Sequence, residues 1–168
     1  MYRVYSILIM VTVLLGLEPD ERGYIVSVGD MAPDFTMEYT TGEKVTLSDL
    51  RDKIVVLQFT ASWCSVCILE MPHLEKDVWQ AFKDKGVLLI GVDRDEPLET
   101  VINFQKMIGT TYPLALDPGA DIFGLFADKK SGVTRNVVID HSGKIVFLTR
   151  LFDEQEYKEM IQVIKKLI

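Results

Sequence analysis

The run Ile54-Val55-Val56-Leu57-Gln58-Phe59-Thr60 and the segment Ser62-Trp63-Cys64-Ser65-Val66-Cys67 behind it constrain this chain more than any other part. The run is β-branched and aromatic, contains no turn former and has the length of a buried strand. After it, Cys67, Met71, Leu74, Val78, Ala81 and Phe82 recur at spacings of three and four, which predicts one apolar stripe along a helix reaching to about Lys83. Strand, paired cysteines, helix is therefore the local order. A fold containing it places both sulfurs at the first turn of a helix, at the end of a central strand.

That position has chemical consequences. Unpaired backbone N–H groups and the positive end of the helix dipole favour thiolate over thiol there, so Cys64 is the expected nucleophile. Cys67 lies one turn further on, on the core stripe, where it is more buried and placed to close a disulfide with Cys64. Zinc is the competing use of a Cys-x-x-Cys, but it needs about four ligands. His73 and His141 are the only histidines and no third cysteine exists, so that site is hard to complete.

The remaining chain supplies a scaffold. Its 168 residues fit one domain. A net charge of −7 speaks against nucleic acid as a partner, since phosphate binding needs clustered Lys and Arg. Arg3 precedes the uncharged stretch Val4 to Leu17, followed by Glu18-Pro19-Asp20-Glu21-Arg22. This is the layout of a secretory signal, too short to span a bilayer comfortably. No clear small-x-small cleavage site precedes Glu18, so residues 1–17 read as a signal peptide or an uncleaved membrane anchor, 18–28 as a linker and 29–168 as the domain. Export suits a cysteine pair, because disulfides persist outside the cytosol.

Within the domain, Phe35, Met37 and Tyr39 alternate ahead of Thr40-Thr41-Gly42-Glu43, which predicts a leading hairpin. Val87 to Val92 reads as a second buried strand, and Pro97 opens a helix carrying Leu98, Val101, Ile102, Gln105 and Ile108 on one face. With the helix after Cys67, this predicts helices on both sides of a sheet joined by right-handed crossovers. Asp93-Arg94-Asp95-Glu96 reads as a solvated strand-to-helix loop, because an arginine interrupts it and no ligand pattern supports a metal. Val137-Val138-Ile139-Asp140 and Lys144 to Leu148 form a second hairpin, and Glu154 to Leu167 the last helix. Pro72 removes the N–H that would bond the Ile68 carbonyl, so a kink is expected there.

FTASWCSVCILEMP resembles the active-site segment of TlpA/ResA-like thiol-disulfide oxidoreductases of the thioredoxin superfamily, and the likeness runs from Val28 to Ile168 through VGDMAPDFTM, GVLLIGVDRDEP, YPLALDP and SGVTRNVVIDHSGKIVFL. The resemblance implies an α/β thioredoxin-like fold: a mixed central sheet with helices on both faces and an N-terminal β-hairpin extension. It implies no cofactor, protein thiol or disulfide substrates and a location outside the cytosol, in the bacterial periplasm. A membrane electron donor and a task in cytochrome c maturation come with the same resemblance. Gln58 stands where thioredoxins carry a buried acid; an amide neither takes up nor releases a proton, which leaves water or another carboxylate to do so. Glu70 is near enough in sequence but reads more simply as a solvated helix residue. Thr134 occupies the place of the family's cis-proline facing the cysteines. A non-proline cis bond costs about 2.5–4 kcal/mol, so the Val133–Thr134 bond is expected trans. Trp63, Thr134 and Arg135 are the expected substrate-docking residues, Thr134 with its hydroxyl towards Cys64.

Two other functions fit parts of the pattern. Arg135 resembles an arginine of peroxiredoxins, but a peroxiredoxin-like thiol peroxidase keeps a threonine three residues before its cysteine, where this chain has Ala61, with Thr60 one residue too far. A Cu(I)-binding chaperone would use thiolates with a histidine, but its cysteines are separated by three residues, and His141 falls in a hairpin turn.

Overall fold

The computed structural model describes residues 22–168. Residues 1–17, expected as signal or anchor, lie outside the described residues. Seven strands form one sheet: β1 (Thr36–Tyr39), β2 (Lys44–Thr46), β3 (Ile54–Thr60), β4 (Val87–Arg94), β5 (Leu114–Asp117), β6 (Arg135–Ile139) and β7 (Ile145–Arg150). Their order is β2-β1-β5-β4-β3-β6-β7. The two pairings of β4, with β3 and with β5, are parallel, whereas β6 is antiparallel to β3, β7 to β6, and β1 to both β5 and β2. All seven residues of β3 are buried, as a strand with neighbours on both edges and packing on both faces requires.

After β3 comes α1 (Ser65–Leu74), a π-helical turn (Glu75–Trp79), α2 (Gln80–Phe82), then a 3-10 turn ending at Gly86, whose φ of 83° suits glycine. The chain stays helical through Pro72, and the irregularity falls three residues later, where the Glu75 N–H bonds both the Met71 and Pro72 carbonyls. Then follow α3 (Leu98–Ile108), the single-turn α4 (Phe123–Phe126) and α5 (Glu154–Leu167).

The sheet separates two apolar clusters. Ile54, Val56, Leu89 and Leu114 face Met71 and Leu74 of α1, Val101 and Phe104 of α3, and Met160 and Ile164 of α5. Val55, Leu57, Phe59, Ile90 and Val92 face the other way, onto Phe123 and Phe126 of α4 and the cysteines. Helices thus flank both faces, but α1 and α3 share one face instead of taking opposite ones. The steps β3 to β4 and β4 to β5 run in the same direction along the sheet, and two right-handed crossovers in one direction put both helices on the same side.

The described part of the stretch expected as a linker, 18–28, is anchored at one buried residue. Tyr24 is 3% exposed; its hydroxyl donates to the Thr149 carbonyl at 2.5 Å, and its backbone pairs with Ala127. An aromatic ring with its polar tip satisfied in the core anchors the chain well before Val28. Among the described residues no helix is long and apolar enough to cross a membrane.

Candidate active site

Cys64 is the N-cap of α1 and Cys67 sits in its first turn, a consequence of the chain leaving β3 at Thr60 and turning within four residues. The two are joined by a disulfide, with Cα atoms 5.2 Å apart. The Cys67 backbone N–H donates to Cys64 Sγ at 3.1 Å, and the Cys64 N–H donates to the Ala61 carbonyl at 3.1 Å. Cys64 retains 6% exposure and Cys67 none. Attack from outside therefore reaches Cys64 first, while the helix end supplies an N–H to whatever charge its sulfur carries.

Trp63 projects from this turn, 63% exposed, next to Cys64. The side chains of Thr134 and Arg135, expected to dock substrate beside it, do not reach the surface. Both are fully buried, for reasons visible in their partners. The Thr134 hydroxyl donates to Glu70 Oε2 at 2.9 Å instead of to a sulfur, and its carbonyl accepts from the Leu151 N–H at 3.0 Å. The Val133–Thr134 bond is cis, not trans, and Val133 packs in the same apolar cluster as both cysteines. Arg135 opens β6, where its guanidinium donates to the carbonyls of Gly132 (3.0 Å) and Arg22 (2.5 Å) and lies over the Tyr24 ring, 4.6 Å from the centroid. Arg135 thus ties residues 22–24 to the sheet. The Thr60 hydroxyl donates to Met71 Sδ at 3.5 Å, so it is not a peroxidatic threonine beside Cys64. His141 is in the turn after β6, its ring nitrogens 3.1 Å from the carbonyl oxygens of Asp52 and Leu167.

The residue that sequence reasoning undervalued is Glu70, which is 1% exposed, not solvated. It lies over a row of cross-strand neighbours, Gly91 of β4, Gln58 of β3, Asn136 of β6 and Thr149 of β7. Gly91 has no side chain because a Cβ there would collide with Leu114. Gln58 Nε2 donates to Glu70 Oε2 at 3.1 Å and Asn136 Nδ2 to Oε1 at 2.7 Å. Gln58 Oε1 in turn accepts from the Tyr112 hydroxyl at 2.8 Å, and Asn136 Nδ2 also donates to Thr149 Oγ1 at 2.9 Å. Burial pushes the Glu70 carboxyl up to about 7, against the pull of its three donors. A proton-exchanging group near neutrality therefore stands one helical turn from Cys67. The signal for it lies in single polar residues interrupting apolar strands: Gln58 in β3 and Asn136 in β6.

The run Asp93–Glu96 at the end of β4, expected as a solvated loop, is a second departure. Asp93 is fully buried, and Glu96 accepts from Ser62, two residues before Cys64.

A parallel β-α-β core with an antiparallel hairpin at its edge, carrying a disulfide between the N-cap and first turn of its leading helix, defines a thioredoxin-like exchanger of disulfides. The chain belongs to the AhpC/TSA family, whose model matches residues 28–148. It is similar to the thiol-disulfide oxidoreductase ResA of Bacillus thuringiensis, with 32% identity over 142 residues, 84% of this chain and 79% of that one. Among solved structures, that of a candidate protein disulfide isomerase from Bacteroides thetaiotaomicron superposes with a TM-score of 0.84 at 58% identity, covering 86% of this chain and 92% of the other. That of a candidate thiol:disulfide interchange protein DsbE from Chlorobium tepidum gives a TM-score of 0.75 at 27% identity, over 84% and 98% of the two chains. The chain is a thiol-disulfide oxidoreductase of the thioredoxin superfamily.

Proposed function

We propose that this oxidoreductase works outside the cytosol as a reductase of protein disulfides, with Cys64 attacking and Cys67 resolving. The observation that carries the assignment is the asymmetry of the pair: Cys64 keeps its exposure and receives the Cys67 N–H, while Cys67 is enclosed. The Cys64 thiolate attacks one sulfur of a substrate disulfide, and the other substrate sulfur leaves as a thiolate. Cys67, deprotonated, then attacks Cys64 Sγ; the second substrate sulfur leaves, and the Cys64–Cys67 disulfide forms. Two electrons pass from the dithiol to the substrate. Glu70 takes the Cys67 proton, and exposed Trp63 supplies the apolar contact for the substrate. Restoring the dithiol needs a thiol donor, which for an exported protein would be membrane-borne. Residues 1–17 direct export to the periplasm and either leave as a signal peptide or stay as an anchor, with residues 29–168 as the exchanging domain. Disulfides of apocytochrome c are the substrate class that the family likeness suggests.

The test is a trapping experiment together with a redox titration. Cys67→Ser is expected to accumulate mixed disulfides with protein substrates and Cys64→Ser to accumulate none; equal trapping by both overturns the roles. A reduction potential near about −270 mV supports the reductase direction, whereas a value near about −120 mV makes the protein an oxidant. Intact mass of the chain recovered from the cell envelope distinguishes a cleaved leader from an anchor.

A further inference from the structure

The acidic loop after β4 touches the cysteine segment at one place. Glu96 accepts the Ser62 backbone N–H on one carboxylate oxygen at 2.5 Å and the Ser62 hydroxyl on the other at 2.6 Å. Behind it, Asp93 stands opposite Thr60 in the β3–β4 register. Its side chain is fully buried, and among the described residues neither oxygen has a donor within reach. The ionisable groups whose charges reach Asp93 are Glu96 and Asp117, both acids. Asp117 ends β5, and its two oxygens are taken by the backbone N–H groups of Ile122 and Phe123, each at 2.8 Å. A buried carboxyl with no donor and only acids around it keeps its proton. After burial, Glu96 is the group that acts on it most strongly.

We propose that Glu96 is a positioning residue for disulfide exchange, holding the Ser62-Trp63-Cys64 turn through its two bonds to Ser62, and that the proton on Asp93 is what allows a carboxylate to stay there. The proposal rests on Cys64 and Cys67 being the exchanging pair. With Asp93 protonated, the pair carries one charge, and the Glu96 oxygens are free to accept from Ser62. With Asp93 ionised, its buried charge repels the half-buried Glu96 carboxylate, and Glu96 moves off Ser62. Burial first, then the two neighbouring acids, push the Asp93 carboxyl up to about 8, so the change falls on the alkaline side of neutrality. Asn at this position has no proton to lose.

The experiment follows reduction of the Cys64–Cys67 disulfide of the full chain by dithiothreitol, through tryptophan fluorescence, from about pH 6 to about pH 9. Glu96→Ala is expected to slow reduction about tenfold at neutral pH, in line with losing two charge-assisted hydrogen bonds. Ser62→Ala is expected to slow it by less, since only the hydroxyl bond is lost. The wild-type rate is expected to fall relative to that of Asp93→Asn as pH rises through about 8. A purely structural Glu96 would lower the urea midpoint of Glu96→Ala and leave its reduction rate at the wild-type value; that result, or parallel pH profiles for wild type and Asp93→Asn, overturns the proposal. If Glu96→Ala fails to fold, Ser62→Ala carries the same comparison. A wild-type disulfide inert to dithiothreitol would remove the proposed function along with this inference, whereas ordinary reduction with superimposed variants removes the inference alone.

Discussion

Three side chains donate to Glu70, yet its carboxyl stands at about 7, because loss of water outweighs the gain from Asn136, Thr134 and Gln58. The same competition sets a stability profile. The folded protein prefers protonated Glu70 over the pH range between the carboxyl's ordinary 4.5 and about 7. Stability from this group is therefore complete below the lower value and is lost as pH rises through the upper one. Glu70→Gln has no such titration. Its urea midpoint should vary less with pH across that window than the wild-type midpoint does. At the acidic end the variant should be the less stable by about 1–3 kcal/mol, because its amide N–H meets donors that are already there. Identical slopes for the two proteins would mean that Glu70 titrates normally. Nothing in the helix stripe marks Glu70 as buried; its partners come from β3, β6 and the loop before β6, at separations of 12, 66 and 64 residues. Only folding puts them together.

Elements were more legible than residues, and α5 illustrates why. Its stripe of Tyr157, Met160 and Ile164 is periodic and its N-cap is marked by Asp153, whose carboxylate accepts the Glu156 N–H at 2.8 Å. Asp153→Ala should cost about 1 kcal/mol in urea unfolding while Asp153→Asn costs only a few tenths, since the amide oxygen still caps; equal losses would make the effect one of charge. β3, β4, α3 and the cysteine turn were legible for the same reason, each having a strong local pattern. Which face α3 covers was not, because it depends on the direction of two successive crossovers. Arg135 reads as a loop residue until Tyr24, 111 positions earlier in the chain, is brought under its guanidinium. The run from Asp93 to Glu96 looks solvated because charge is a good guide to exposure on average; here the strand end buries Asp93 and Ser62 recruits Glu96.

Across the whole molecule, residues 22–32 close the face of the sheet that α4 covers only in part. Tyr24 and Ala32 belong to the same apolar cluster as Phe59, Phe123 and the two cysteines. Arg22 pairs with Glu156 at the start of α5 at 2.8 Å, and Met31 bridges Lys144 beside β7. The N-terminal arm thus reaches both the cysteine cluster and the last helix. A chain beginning at Val28 would leave Arg135 without the Tyr24 ring above it and the Thr149 carbonyl without the tyrosine hydroxyl. Removing one large aromatic side chain from a core costs about 3 kcal/mol or more. With a urea slope of about 2 kcal/mol per molar, the midpoint of that shortened chain should lie about 1 M or more below that of a chain beginning at Arg22. Because the lost contacts lie in the cluster that holds Cys64 and Cys67, circular dichroism of the aromatic side chains and of the backbone should report one shared, shifted transition in each protein. Equal midpoints would show that the arm contributes nothing to the fold, and a separate early transition confined to the longer chain would show that it docks as an independent unit.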